Sequence, residues 1–336
     1  MGSSKSSKLP LPQCLYIEVT NRCNLRCRTC VQHRGMKESP RDLSIGEVRR
    51  IADQAEGLKR AVLHGIGEPL LNPELPGMVH YLKGKGATVL FNSNGHLLSS
   101  EWAEQLISSG LDEFRVSLDA ATEFTYTRIR SSEYFLRVIS NIEMLIRIRN
   151  ESRLSRPSVS AWMVGTRENV RDLPDMILLA SRVGIDEVYL QRLVYPLDGA
   201  GHGLASRENA ISGSHEEILE IVERSMALSH SLGVRPMASG LTNPSESLRS
   251  RSREQAPWRR CKRPWEVAYI TAWGNLLPCC ISPFSTLDYD SLILGNVFEQ
   301  SLEQIWNGEK YSEFRGRHQS SNPPAGCSGC GVEWSL

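Results

Sequence analysis

The residues best equipped for chemistry in this chain are nine cysteines gathered at its two ends. Cys14, Cys23, Cys27 and Cys30 lie near the start, and Cys261, Cys279, Cys280, Cys327 and Cys330 in the last quarter; residues 31–260 contain none. Cys23-Asn-Leu-Arg-Cys27-Arg-Thr-Cys30 directly follows a short apolar run. Three thiolates at that spacing can wrap one small metal centre. Cysteine thiolates hold iron–sulfur clusters, and a [4Fe–4S] cube takes four of them, so three local ligands leave one iron open to another group. Spacing alone equally fits a zinc site or chance loop cysteines. At the other end, Cys261 and Cys279 together with the Cys327-x-x-Cys330 pair supply four thiolates from two distant segments. That is enough to close a complete site, and two cysteine pairs are typical of structural zinc.

Clustered cysteines in a non-secreted chain indicate metal or redox chemistry in a reducing, cytoplasmic setting rather than disulfides. Residues 1–12 are rich in Ser and Lys and lack an apolar h-region, so they read as a disordered tail and not a secretory signal. The 336 residues suffice for one large domain and a small one, and 40% apolar content supports a sizeable core. A formal net charge of +1 gives no bulk reason to expect nucleic acid or an anionic membrane. No apolar run approaches the ~18 residues of a membrane span.

Positioning those cysteines requires a scaffold, and the pattern supplies one. Strand-like runs at 15–20, 61–64, 88–92, 113–118, 159–164 and 187–190 alternate with helical patterns. The helices are expected from Ser44, a capping-box residue with Glu47, to about 56, and at 74–84, 101–108, 135–149, 172–183 and 216–231. Six such units predict parallel strands with right-handed crossovers, an incomplete (β/α)6 TIM-like barrel over 13–236. Residues 237–257 read as a linker. From 258 to 336 the texture changes to a small α+β extension, with a hairpin of 267–271 and 275–277 around Ala272–Gly274 and short helices at 302–307 and 310–318. Barrel chemistry sits at the C-terminal ends of the strands, and the first cysteine loop falls there.

Gly65-Ile66-Gly67-Glu68-Pro69 ends the second strand, Ser93-Asn94-Gly95 the third, and Val116-Ser117-Leu118-Asp119 lies at the fourth. With the three-cysteine loop, this ordered set resembles the radical SAM superfamily over residues 15–194. The resemblance implies that S-adenosylmethionine (SAM) chelates the open iron of a cluster held by Cys23, Cys27 and Cys30. A 5′-deoxyadenosyl radical then removes hydrogen from substrate. It further implies that Gly65, Gly67 and Glu68 meet the methionine amino group, and that Ser93, Ser117 and Arg130 serve the carboxylate or ribose. One departure is Thr29, where the family commonly has an aromatic residue near adenine. Cys261-x12-Gly274-x4-Cys279 with the terminal Cys-x-x-Cys resembles the twitch form of the SPASM extension. That implies one auxiliary [4Fe–4S] cluster on Cys261, Cys279, Cys327 and Cys330, with electrons supplied by a flavodoxin- or ferredoxin-type donor.

Cys280 is left over as a packing residue, an alternative to Cys279 as ligand, or a hydrogen donor to a substrate radical; Cys14 reads as a small core residue. Twitch enzymes of this kind include dehydrogenases and epimerases, so the expected substrate is a small carbohydrate. The expected reaction is hydrogen abstraction at a secondary alcohol carbon of a sugar or aminocyclitol in antibiotic biosynthesis. The alternatives are a maturase modifying a ribosomally made peptide and a zinc-stabilised binding scaffold. Many maturases carry an N-terminal peptide-binding domain, and only about a dozen residues precede the first strand here. The run Arg249, Arg251, Arg253, Arg259, Arg260, Lys262 and Arg263 reads first as a solvated basic face and second as a phosphate grip. In the long 195–215 loop, Tyr195, Asp198 and His202 are candidate substrate contacts.

Overall fold

The run Cys-Leu-Tyr-Ile has no polar alternation and needs cover on both faces, the condition of a central parallel strand. It forms β1 (Cys14–Ile17), buried at every position. The computed structural model describes residues 8–34, 37–199, 201–211, 216–239, 243–248, 256–286, 288–328 and 330. The other five expected runs form β2 (Arg60–Val62), β3 (Thr88–Ser93), β4 (Glu113–Ser117), β5 (Ser158–Gly165) and β6 (Glu187–Arg192), each parallel to the one before.

The connecting helices are α1 (Ile45–Asp53), α2 (Leu75–Gly84), α3 (Ser100–Ser108), α4 (Glu123–Arg130), α5 (Phe135–Glu151), α6 (Leu173–Val183) and α7 (Glu216–Leu232). The Ser44–Glu47 capping box that opens α1 is present. Helix α4 was not legible in advance. Its Thr-rich sequence is a poor helix former, and it is started by the Thr122 hydroxyl accepting from the Thr125 N–H. Among the described residues no helix is long and apolar enough to cross a membrane.

The expected linker from residue 237 begins inside a seventh strand, β7 (Arg235–Ala238), which pairs parallel with β6 and is followed by the short helix α8 (Pro244–Leu248). Pro236 reads as a strand breaker, but β7 is an edge strand, where a missing N–H costs no ladder bond. The expected hairpin forms as β8 (Val267–Ile270) and β9 (Asn275–Leu277), antiparallel to one another, with β10 (Gly295–Asn296) beyond. This hairpin is not a separate layer. β8 pairs in parallel with β1, register Cys14↔Val267 to Ile17↔Ile270, so one open sheet runs β10-β9-β8-β1-β2-β3-β4-β5-β6-β7. The architecture is a partial α/β barrel continued by its C-terminal extension.

Residues 8–12, expected to belong to a disordered tail, lie against the C-terminal helix Leu302–Trp306; residues 1–7 fall outside the described residues. Lys8 pairs with Glu303 at 2.8 Å, and the Leu9 N–H donates to Asn307 Oδ1 at 2.8 Å. The fully buried Trp306 donates its indole N–H to the Pro10 carbonyl at 2.9 Å. A tail low in apolar residues gives no packing signal, but its backbone carbonyl satisfies a buried donor. Deleting residues 1–12 should therefore lower Tm by a few degrees in a thermal scan, because an orphaned buried N–H costs roughly 1–3 kcal/mol. An unchanged Tm would show that the strap contributes nothing.

Candidate functional site

Inward-facing side chains of β1–β7 enclose a cavity of about 550 Å³. At its upper end, beyond the C-terminal ends of the strands, the loop after β1 brings Cys23, Cys27 and Cys30 into the cavity wall. Among the bonds that hold that loop, the Glu68 N–H donates to the Arg22 carbonyl at 2.8 Å, and Gln32 Nε2 donates to the Asn21 carbonyl at 3.1 Å. Gly67 permits the closest approach. A Cβ there would lie 2.2 Å from the Thr20 carbonyl oxygen and 2.7 Å from that of Arg22, both backbone atoms. A Cβ on Gly65 would lie 2.2 Å from Glu18 Oε2.

Burial pushes the Cys23 thiol up to about 11, and burial together with neighbouring Cys27 pushes Cys30 up to about 12. Cys23 and Cys30 are poorly placed to ionise unaided, and a bound iron cluster would supply the positive charge that thiolates there need. The nearest protein cation is Arg130 at the end of α4, whose Nη1 lies 3.4 Å from Cys27 Sγ. Arg130 also donates to the Ser117 carbonyl and pairs with buried Asp119 at 3.0 Å. Asp119 has φ 61°, a left-handed conformation that Asp tolerates. The Val164 N–H, donating to its carboxylate at 2.7 Å, holds it there.

Glu68 and Ser93 line the cavity and also brace its wall. Glu68 is 2% exposed, and its oxygens already accept from Ser93 Oγ at 2.7 Å, the Asn94 N–H at 2.7 Å and the Leu70 N–H at 3.1 Å. The Ser93 hydroxyl in turn accepts from the Gly95 N–H at 3.0 Å. The pair ties the ends of β2 and β3 together. Sequence reasoning missed Glu18 entirely. This buried carboxylate at the end of β1 accepts from the Ile66 N–H at 2.8 Å and from Tyr269 Oη at 2.7 Å, joining the glycine turn to the C-terminal hairpin. Burial raises its pKa to about 7, against those hydrogen bonds.

The second cysteine set lies at the opposite end of the barrel. Cys261 precedes β8, and Cys279 follows β9, which runs back to the end where β8 began. The length of the strands, on the order of 13 Å for four residues, therefore lies between the two sets. Cys261, Cys279, Cys327 and Cys330 act on one another electrostatically; burial foremost lifts Cys261 to about 11 and moves Cys327 upward too. Buried Arg263 opposes both shifts. Cys280 faces the other way. It lines the barrel cavity beside Tyr16, and burial pushes it up to about 12. Cys279 therefore faces the C-terminal cysteines and Cys280 does not.

Arg259, Arg260 and Lys262 are exposed, and positions 249–255 fall outside the described residues. Tyr195, Asp198 and His202 do not line the cavity. Asp198 accepts from the Thr286 hydroxyl, and the Leu204 N–H donates to the Arg28 carbonyl at 2.7 Å, so this loop braces the first cysteine loop.

Gly67→Ala should displace the Cys23 loop. Iron bound per chain, counted after anaerobic reconstitution, should fall to the roughly four atoms of one remaining cube. Gly86→Ala, at φ 82° with nothing within 4 Å, should cost only ~1–2 kcal/mol of stability and no iron. Full iron in the Gly67 variant would refute the close-approach argument.

Comparison with known proteins agrees with this geometry. The Radical SAM superfamily profile matches residues 17–180, and that of the SPASM iron–sulfur cluster-binding domain matches 261–331. The chain is 27% identical over 90% of its length to the tungsten-containing aldehyde ferredoxin oxidoreductase cofactor-modifying protein of Pyrococcus furiosus, covering 82% of that protein. It is 26% identical over 96% of its length to the mycofactocin maturase MftC of Mycobacterium ulcerans, covering 81%. With the PqqA peptide cyclase of Xanthomonas euvesicatoria pv. vesicatoria it shares 25% identity over 97% of its length, covering 82%. Streptococcus suis SuiB bound to S-adenosylmethionine superposes with a TM-score of 0.69 at 17% identity, over 92% of this chain and 68% of SuiB, a likeness of fold. The two domains imply SAM and two [4Fe–4S] clusters, and the donor set fits: three cysteine thiols in the cavity wall and four more that act on one another in the C-terminal extension. The chain belongs to the radical SAM superfamily and carries a C-terminal SPASM iron–sulfur cluster-binding domain.

Proposed function

We propose that this radical SAM enzyme is a maturase that modifies a peptide. The observation that carries the reading is the match, over nearly the whole chain, to proteins named as a mycofactocin maturase and a PqqA peptide cyclase. The same matches overturn the expectation of a sugar or aminocyclitol epimerase or dehydrogenase, and with it the carbohydrate partner: these relatives are named for maturation and peptide cyclisation. The short segment before β1 had weighed against a peptide substrate; these relatives outweigh it.

In this reading Cys23, Cys27 and Cys30 hold the first cluster, and Cys261, Cys279, Cys327 and Cys330 the auxiliary one. When bound, the first cluster and SAM supply a carbon radical that abstracts hydrogen from an unactivated C–H bond. The chain's own contribution is placement. Gly65 and Gly67 let backbone approach closely, Glu68 and Ser93 lock the turns around them, and Arg130 fixes the wall beside Cys27. The cavity, about 550 Å³, is within the usual range for enclosing a bound group and separating it from water. A second reading, modification of a protein-bound cofactor, draws on the Pyrococcus furiosus relative.

The test incubates the reconstituted enzyme anaerobically with SAM, a reductant, and either a panel of short synthetic peptides or a panel of sugars and aminocyclitols. One peptide should stimulate 5′-deoxyadenosine formation and change mass. Stimulation by a sugar with every peptide inert would overturn the proposal.

A further inference from the structure

The floor of the cavity holds one guanidinium, that of Arg60, which no ion pair among the described residues neutralises. Inward positions there alternate along β2–β6 and bring together Arg60, His64, Asn92, Glu113, Arg115 and Glu187. Glu113 is committed: it pairs with Arg115 at 2.9 Å and accepts from Ser160 Oγ at 2.8 Å. Glu187 faces Arg235 at 3.7 Å. Arg60 has no carboxylate within ion-pair reach among the described residues, and its buried Nε has no hydrogen-bond partner. Arg115, 9% exposed, likewise keeps a buried, unpartnered Nε, and so does the Oδ1 of Asn92, its register neighbour on β3.

Arg115 is also rigid. Its guanidinium lies 4.4 Å from the Trp162 ring centroid, and Trp162 stacks at 3.8 Å and 6° on Tyr189. The fields of Arg60 and Arg115 both reach His64. Burial first, then those two cations, hold His64 down to about 3, so its imidazole is neutral. His64 Nδ1 accepts from the Asn92 N–H at 3.1 Å, which leaves Nε2–H as a donor. Two guanidinium groups, one N–H donor and one orphaned amide oxygen form a complementary set for a carboxylate next to an amide N–H. Leaving the Arg60 charge unpaired in a fold is unfavourable unless a ligand completes it.

We infer that Arg60 and Arg115, with His64 and Asn92, form a subsite for the carboxylate of a peptide residue at the floor of the barrel. This inference rests on the peptide reading and names the substrate group that enters the cavity. The carboxylate is either a side chain's or the peptide's C-terminus, and the probes separate them.

Binding is measured calorimetrically on the reconstituted holoenzyme with SAM. The probes are N-acetyl-L-alanine (terminal carboxylate), N-acetyl-L-isoglutamine (side-chain carboxylate) and the neutral N-acetyl-L-alaninamide. One acid should bind about tenfold or more tightly than the amide, and the tighter acid identifies the source. Arg60→Gln should abolish the preference and leave iron content unchanged with Tm equal or higher; Arg60→Lys should keep part of it. Equal binding of acids and amide, or no binding of any, overturns the subsite. So does an Arg60→Gln protein that loses Tm and iron, since Arg60 would then be structural. No turnover is required, so a failed peptide assay with the acid preference intact would sink the maturase reading and leave the carboxylate subsite standing.

Discussion

The parallel pairing of β8 with β1 is the constraint from which the rest of the structure follows. β1 is wholly apolar and would be an exposed, association-prone edge if the barrel ended there. The returning chain covers it in register, Cys14 opposite Val267 and Ile17 opposite Ile270. Buried polar contacts lock that register. Glu18 collects the Ile66 N–H and the Tyr269 hydroxyl, and Glu38 collects the Tyr289 hydroxyl at 2.9 Å and Asn275 Nδ2 at 2.7 Å. Because β9 then runs back, the two cysteine sets end at opposite ends of the strands. A slip of one residue would turn Tyr269 away from Glu18 and move both sets.

The interior of this barrel is polar where many barrels are packed with Val, Ile and Leu. Arg60, Glu113, Arg115, Glu187 and His64 replace that packing. Stability is retained by the outer shell, in which the outward faces of the same strands and the helices form a continuous buried apolar cluster. The division is clear along β4, where Phe114 and Val116 are fully buried against the helices while Glu113, Arg115 and Ser117 line the cavity.

Much of this was legible in the sequence, and the gaps have physical causes. Six strands and six helices declared themselves through periodicity because each has a strongly apolar face, and Ser44 and Glu47 announced their cap. The cysteine spacings and the glycine turn were legible because few residue types can do that work. β7 escaped because Pro236 masks an edge strand, and α4 because three threonines hide a helix started by Thr122. The strap at residues 8–12 is recognised by a backbone carbonyl, which sequence does not distinguish. Glu18, Arg60 and His64 escaped because a polar residue in a strand reads as solvent-facing; only barrel curvature turns that face inward. The bonds that Glu68 accepts from Ser93, Leu70 and Asn94 were not legible, because they join residues that only the fold brings together. The substrate class escaped for a different reason: the motifs specify the radical chemistry and leave the receiving cavity open.

The central claim is that the fold holds two four-iron centres, each served by its own cysteines. Iron and sulfide counted on anaerobically reconstituted protein test it most directly. About eight irons per chain are predicted, falling to about four when Cys23, Cys27 and Cys30 are replaced by Ala and to about four when Cys261, Cys279, Cys327 and Cys330 are. Zinc in place of iron at the C-terminal set, or loss of all iron from either variant, would contradict it.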